Sequence, residues 1–572
     1  VSSSLLTGIM MDRPLLIRDI LLHAERTCPD QEIVSVTGKG TYHRTTYGET
    51  FRRARKLANA LEELNIRPGD RIATMAWNDY RHLEIYYAVA CSGSVCHTIN
   101  PRLTPEQITY IINHAEDSWL FTSINFMPLL ETILPDIPNV KGFVILMDEE
   151  DGTITDLPRA IAYETLLAPA SDKYEWPEFP ETSASSLCYT SGTTGRPKGV
   201  LYSHRSTVLH TMMCNLSASI GLSEMDTVMP VVPMFHVNAW GVPYSAAMAG
   251  AKIVLPGPHM GNGELLQELI ELEQVTVGFG VPTIWLALLH YLETSGKSVD
   301  SLIRIYTGGT ASPRHLMDTF LRQYGVDTVH LWGMTELSPL GTLNQAEVRT
   351  DLSYDERMDL RCMQGRPAFG VEMKLKDDVG QTVPHDGKTP GFLYVRGYAV
   401  CRGYLGPVGD ENETSAHSSH DKEGWLNTGD IATIDQQGYL RITDRAKDMI
   451  KSGGEWISSI ELENLAMAHP DIVEAAAIAM PDKKWGERPL VIAVKKQGST
   501  VIEQDLLNWY KDKLPGWMLP DKVVFVSELP HTATGKVVKS QLRSEIDRYL
   551  QNNHHTKGKS PEKKVHHSGL FM

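Results

Sequence analysis

Cysteine is scarce in this sequence. Its 572 residues include seven cysteines (Cys28, Cys91, Cys96, Cys188, Cys214, Cys362, Cys401), an odd number with no CxxC spacing. Neither a disulfide framework nor a thiolate zinc site is indicated, so a reducing, cytoplasmic compartment is expected. Basic charge is also short: 54 lysines and arginines face 70 aspartates and glutamates, a net charge of −16 with histidine neutral. Such a field repels nucleic acid and anionic lipid, so no nucleic-acid partner is expected and any phosphate site has to be a local focus. The first residues, VSSSLL, hold no basic region followed by an apolar run of signal-peptide length. Long apolar runs are few as well. The uncharged stretch at 275–292, VTVGFGVPTIWLALLHYL, is broken by Gly278, Gly280, Pro282 and His290. Pro282 suits the first position of a helix, so the stretch reads as strand, turn and helix and no transmembrane segment is expected.

What the sequence has is length and globular composition. A single core stops growing at roughly 250–300 residues, so at least two domains are expected. With 42% hydrophobic and 22% charged residues, the chain can bury large cores. Over the first four hundred or so residues, β-branched runs such as RIATMA from Arg71 and IRIYTGG from Ile303 alternate with amphipathic, helix-forming stretches. That rhythm predicts an α/β fold with a mostly parallel sheet covered by helices. Short strands and Gly/Pro turns at 380–404 predict a β-rich subdomain, and a mixture of strands and helices from about Asp444 onward predicts a small α+β domain. The polar, aperiodic end of the chain predicts a disordered tail. The expected partition is 1–443, 444–550 and 551–572.

The segment YTSGTTGRPKGV, starting at Tyr189, follows an apolar run and combines hydroxyl side chains, glycines and a lysine. Such a loop offers backbone N–H groups, hydroxyl donors and a cation to a polyphosphate. It is not a Walker A loop, because Pro197 precedes Lys198 and Gly199 follows it.

This segment resembles the phosphate-loop signature of the acyl-adenylate-forming, AMP-binding superfamily. That superfamily holds acyl-CoA synthetases, peptide-synthetase adenylation domains and firefly luciferase. Further segments match in the family's order: MFHVN from Met234, WGMTE from Trp332, TGD from Thr428, DRAKD from Asp444, KSGGEW from Lys451 and PHTATGK from Pro530. Longer runs, including PVVPMFHVNAWG and IKSGGEWISSIELEN, are similar to the medium-chain fatty acyl-CoA synthetase branch. That branch includes enzymes that join CoA to 3-methylmercaptopropionate.

The resemblance implies a large N-terminal AMP- and acyl-binding domain and a small mobile C-terminal lid. It also implies ligation of a carboxylic acid to CoA through an acyl-adenylate, releasing AMP and pyrophosphate, with ATP, Mg²⁺ and CoA as cofactor and co-substrates. By resemblance Thr190, Ser191, Gly192, Thr193, Thr194 and Lys198 hold phosphates, Glu336 ligates Mg²⁺, and Thr335 contacts phosphate. Trp332 stands where relatives stack a tyrosine on adenine, with Gly309 and Gly333 nearby. Asp430 would accept from the ribose hydroxyls, Arg445 would contact ribose and phosphate, and Lys536 would bridge carboxylate and α-phosphate. Lys447 falls at the hinge, and Gly453, Gly454, Glu455 and Trp456 fall in the loop passing the pantetheine arm. His236 stands where amino-acid-activating relatives place an aspartate, which disfavours an ammonium-bearing substrate, since a buried ammonium without a partner is costly. Trp240 resembles the gating tryptophan of bacterial fatty acyl-CoA synthetases. Val281, Pro282, Gly308, Gly309 and Gly333 complete an apolar pocket wall. Fatty acyl-CoA synthetases of this type are often homodimers, which leaves a homodimer open. The alternatives are an acyl-AMP ligase feeding a carrier protein and a catalytically silent acyl or nucleotide sensor.

Overall fold

The computed structural model describes residues 6, 8–38, 40–147, 157–190, 196–345, 351–406, 419–453, 455–511, 513–531 and 537–546. The chain divides into two compact units, Val1–Thr443 and Asp444–Met572.

Two large sheets build the first unit. One runs Ala160–Ala162, Phe143–Leu146, Trp119–Ser123, Arg71–Met75, Val95–Thr98, Ala184–Thr190 and Lys198–Ser203. Its neighbours are parallel except the last pair, which is antiparallel. The other has a parallel centre formed by Asp327–Gly333, Arg304–Thr307, Val277–Gly280, Thr227–Pro230, Lys252–Leu255 and Glu32–Gly38. Antiparallel strands close both of its edges. Strands such as Phe143–Leu146 are buried throughout, as parallel strands covered on both faces must be. The largest apolar core joins residues of both sheets, Ile72 and Phe121 from one and Val228 and Phe279 from the other, with the helix Tyr80–Cys91. Every residue of that helix is buried, and Asp79 caps it by accepting the His82 N–H.

A third, smaller sheet of this unit is made of Val371–Lys376, Gly391–Gly397, Leu426–Ile434 and Leu440–Arg445. The window 380–404 therefore holds only one of its strands. The others escaped it because they lack the Gly/Pro texture that marks the turns between them. At 275–292 the structure has the strand Val277–Gly280 and the helix Pro282–Ser295, with proline in its first turn. Among the described residues no helix is long and apolar enough to cross a membrane.

The second unit centres on a long antiparallel pair, Ile472–Asp482 with Gly486–Lys495. Lys522–Val526 pairs in parallel with Gly486–Lys495, and the hairpin Ile450–Ser452 with Glu455–Ile457 meets the same strand where Ser452 lies opposite Gly486. The helices Ser459–Met467 and Glu503–Lys511 cover one face through Leu462, Ala466, Leu506 and Tyr510. The large α/β unit with its β-rich sheet and the small α+β unit agree with the fold class expected from sequence. The tail 551–572 lies outside the described residues.

Candidate active site

Thr190 ends one strand and Lys198 opens the next, and the two are register partners. Antiparallel pairing thus pinches the phosphate-loop segment at its base. Ser191, Gly192, Thr193 and Thr194, within that segment, lie outside the described residues.

A second group converges on Lys198. The strand Asp327–Gly333 runs out into a short turn, Thr335–Leu337, which leaves Glu336 only 5% exposed. A buried carboxylate needs a donor, and the Tyr404 hydroxyl supplies it, bonding Glu336 Oε1 at 2.7 Å. Burial, then the neighbouring Glu336 charge, push the Tyr404 phenol well above its ordinary range, so it stays a donor at any working pH. Lys198 Nζ stands 4.8 Å from the centroid of the same ring. Tyr202 donates to the Thr335 carbonyl at 2.6 Å. Backbone bonds complete the frame: Cys401 N–H to the Glu336 carbonyl at 2.8 Å, and Leu405 N–H to the Gly199 carbonyl at 2.8 Å. Residues 401–405 therefore bind the Lys198 strand and the Glu336 turn to each other. Sequence reasoning missed Tyr404 and Tyr202, since nothing local distinguishes GYLG or VLYS from ordinary loop and strand sequence.

Trp332 and Asp430 lie far apart in sequence yet are joined directly, indole Nε1 donating to Asp430 Oδ2 at 3.1 Å. Trp332 packs with Leu375, Leu393 and Leu426 of the small sheet and is 8% exposed, so little of its ring faces outward. Asp430 also receives support in the backbone, its N–H bonding the Thr428 hydroxyl at 3.1 Å. Gly333 has no room for a side chain, because a Cβ there would overlap the Pro339 carbonyl oxygen. Gly308 is buried beside Leu331, whereas Gly309 is exposed. Val281 caps the helix that Pro282 opens.

His236 and Trp240 flank an unusual backbone. Val237, Asn238, Ala239 and Trp240 have φ of 48°, 50°, 49° and 57°, and Gly241 follows at 77°. Left-handed backbone costs L-residues about 1–2 kcal/mol each. The surroundings offset this: the Ala239 N–H reaches the Pro233 carbonyl at 3.2 Å, and Asn238 Nδ2 donates to Ser186 Oγ at 3.1 Å. Asn238 Oδ1 accepts from the Tyr86 hydroxyl at 3.3 Å, and Tyr86 also bonds the Met234 carbonyl. Only Gly241 and Asn238 favour this conformation, so little in the segment's own residues signals it.

The remaining candidates belong to the second unit. Gly453 begins a two-residue hairpin loop between Ser452 and Glu455, with φ of 61°. Its N–H bonds the Trp485 carbonyl at 2.8 Å, and a Cβ would press on the Trp485 ring. Glu455 and Trp456 are exposed, with Lys451 Nζ 5.1 Å from a Trp456 ring centroid. Arg445 and Lys447 lie at and after the end of the strand Leu440–Arg445. Gly454 and Lys536 fall outside the described residues. For a metal, no group of three or more His, Cys, Asp or Glu side chains is assembled among the described residues. One buried carboxylate beside a phosphate-loop strand suits Mg²⁺, which is bound by one or two carboxylates plus substrate phosphates.

Comparison with known proteins finds relatives along nearly the whole chain. The 3-methylmercaptopropionyl-CoA ligase of Ruegeria lacuscaerulensis is 52% identical over 540 residues, covering 94% of this chain and 98% of that protein. The medium-chain-fatty-acid–CoA ligase of Ectopseudomonas oleovorans is 50% identical over 537 residues, covering 94% and 97%. Among solved structures, the anthranilate CoA ligase AuaEII in complex with anthranoyl-AMP shares the fold, with a TM-score of 0.82 at 24% identity over 94% of this chain and 99% of that one. The model of the AMP-binding enzyme matches residues 22–405 and that of its C-terminal domain residues 461–536, and the chain belongs to the AMP-binding enzyme family.

Proposed function

We propose that the chain is an AMP-forming acyl-CoA ligase for a carboxylic acid whose chain is short or medium and uncharged, such as 3-methylmercaptopropionate or a medium-chain fatty acid. The observation that carries this reading is the Lys198–Tyr404–Glu336 arrangement beside the base of the phosphate-loop segment. Relatives of about half identity over nearly the whole chain, named as CoA ligases, support it.

In the first step a substrate carboxylate oxygen attacks the α-phosphorus of ATP, and the bond to pyrophosphate breaks. Two anions must meet, so the protein's work is neutralising charge and holding alignment. Thr190 and Lys198, with Ser191, Gly192, Thr193 and Thr194, hold the β- and γ-phosphates. Glu336, oriented by Tyr404, would hold Mg²⁺, which when bound would supply positive charge to those phosphates, and Thr335 would contact them. Trp332 and Gly309 border the adenine, Asp430 accepts from the ribose, and Arg445 and Lys536 bring positive charge to the α-phosphate. In the second step the CoA thiol loses its proton, its sulfur attacks the acyl carbonyl, and AMP leaves with the former carboxylate oxygen. The chain beyond Lys447 turns about that residue between the steps, replacing Lys536 by the Gly453-Gly454-Glu455-Trp456 loop.

The acid is bounded by His236, Trp240, Val281, Pro282, Gly308 and Gly333. This wall offers no carboxylate to an ammonium group. The seven free cysteines, of which Cys91, Cys96, Cys188 and Cys214 are buried, fit a cytoplasmic setting. The test is a panel of acids from propionate to palmitate, with 3-methylmercaptopropionate and cinnamate, scored by CoA-dependent AMP release. A single maximum among the short and medium acids is expected. Preference for cinnamate or palmitate would refute the substrate class.

A further inference from the structure

Asp444, three residues before Lys447, is 1% exposed and bonded to a helix fifteen residues further along the chain. Its Oδ2 accepts both the N–H and the hydroxyl of Ser459, each at 2.6 Å, and its Oδ1 accepts the Arg445 N–H at 2.7 Å. Ser459 opens the helix Ser459–Met467, so the carboxylate sits at the positive end of a helix. The same hydroxyl accepts from Lys539 Nζ at 2.5 Å, and Lys539 is paired with Glu463 at 2.6 Å. Both charged side chains are largely withdrawn from water, 13% and 14% exposed. One turn further along the helix Lys539–Ser544, Arg543 pairs with Asp448 and donates to the Lys447 carbonyl at 3.2 Å.

Lys447 therefore sits in a tight turn, Asp448 and Met449 N–H both reaching the Arg445 carbonyl, with an anchored aspartate on either side. Asp444 precedes Lys447, whereas Ser459, Glu463 and Lys539 lie beyond it. A change of backbone torsion at Lys447 carries Asp444 with one body and its partners with the other. The two bonds from Ser459 to Asp444 cannot survive such a turn, so they exist in one orientation only. Lys539 is provided for in both cases, because Glu463 turns with it.

We propose that Asp444, Ser459 and Lys539 form a latch, positioning residues that hold the second unit in one of its two orientations and part before it takes the other. The latch rests on the reading of Lys447 as the pivot between the two half-reactions. Weakening it shifts the balance between adenylation and thioester formation without touching a group that contacts substrate.

Ser459→Ala removes one oxygen and Asp444→Asn keeps the shape of the side chain, so both variants suit the test. Adenylation is read by acid-dependent pyrophosphate exchange without CoA, and thioester formation by CoA-dependent release of AMP from supplied acyl-adenylate. Each variant is expected to change the ratio of the two rates at least fivefold, one half-reaction slowing and the other not. Equal slowing of both, the outcome of a loosened fold, overturns the latch, as does no change in either. Lys447→Pro in the same assays separates the premises. If it leaves both rates as in the unsubstituted protein, the pivot fails and the latch with it. If it arrests one half-reaction while the latch variants keep the original ratio, the latch alone fails.

Discussion

Tyr404→Phe removes one oxygen from the protein and leaves the ring that faces Lys198. What is lost is the hydroxyl bonded at 2.7 Å to Glu336, a carboxylate 5% exposed. A hydrogen bond to a charged group contributes about 1.5–3 kcal/mol, and losing it leaves the carboxylate less well held. If that contribution is expressed in the transition state, kcat/KM for acid-dependent AMP release falls about 10- to 150-fold. The ring remains, so the contact with Lys198 at 4.8 Å from its centroid persists and the fold is little changed. The comparison is therefore kcat/KM for ATP in Tyr404→Phe against the unsubstituted protein, with thermal midpoints measured in parallel. Tyr404→Leu removes the ring as well and is expected to be worse. Activity of Tyr404→Phe within twofold of the original would refute the claim that this hydroxyl orients Glu336.

Three further outcomes are expected. Lys536→Ala abolishes pyrophosphate exchange but leaves thioester formation from supplied acyl-adenylate largely intact, and equal loss of both would remove Lys536 from its assigned role. Burial lowers His210 from 6.5 to about 4, and its Nε2 accepts the Leu340 N–H at 3.1 Å, which requires the neutral ring. Because the folded value lies below the unfolded one, this stabilisation is full above about pH 6.5 and is lost as pH falls toward 4, by about 2 kcal/mol at pH 5. His210→Gln, which keeps an acceptor, is accordingly expected to lose less stability than the unsubstituted protein between pH 7.5 and 5 in urea titrations, and a parallel decline would contradict this. Gly333→Ala forces a methyl group onto the Pro339 carbonyl, and overpacking of this kind costs about 1–3 kcal/mol, read as a lowered thermal midpoint. An unchanged midpoint would show that the backbone there can give way.

The parts of this molecule legible in the sequence are those whose chemistry is local. Buried parallel strands announce themselves as continuous apolar runs, and Pro282 marks the start of its helix because only the first turn tolerates a residue without N–H. The phosphate-loop segment is legible for the same reason, its hydroxyls, glycines and lysine lying within one stretch. Tyr404 was not, because its meaning comes from Glu336, 68 positions away in the chain. Asp430 was legible only through its TGD motif, whereas its burial in the strand Leu426–Ile434 and its bond to Trp332 come from the small sheet packing beside the end of the strand Asp327–Gly333. The left-handed turn between His236 and Trp240 was hidden more deeply. Its conformation opposes the preference of Val237, Ala239 and Trp240 and is imposed by Ser186, Tyr86 and Pro233 from outside.

The central claim is that a carboxylic acid is joined to AMP and then to CoA at one site. It is tested most directly by identifying the products of a single incubation with ATP, Mg²⁺, CoA and a medium-chain acid. The account predicts one AMP and one pyrophosphate for each acyl-CoA formed, with neither released in quantity when the acid is omitted. ADP and inorganic phosphate as the products, or AMP formed at the same rate without acid, would contradict it.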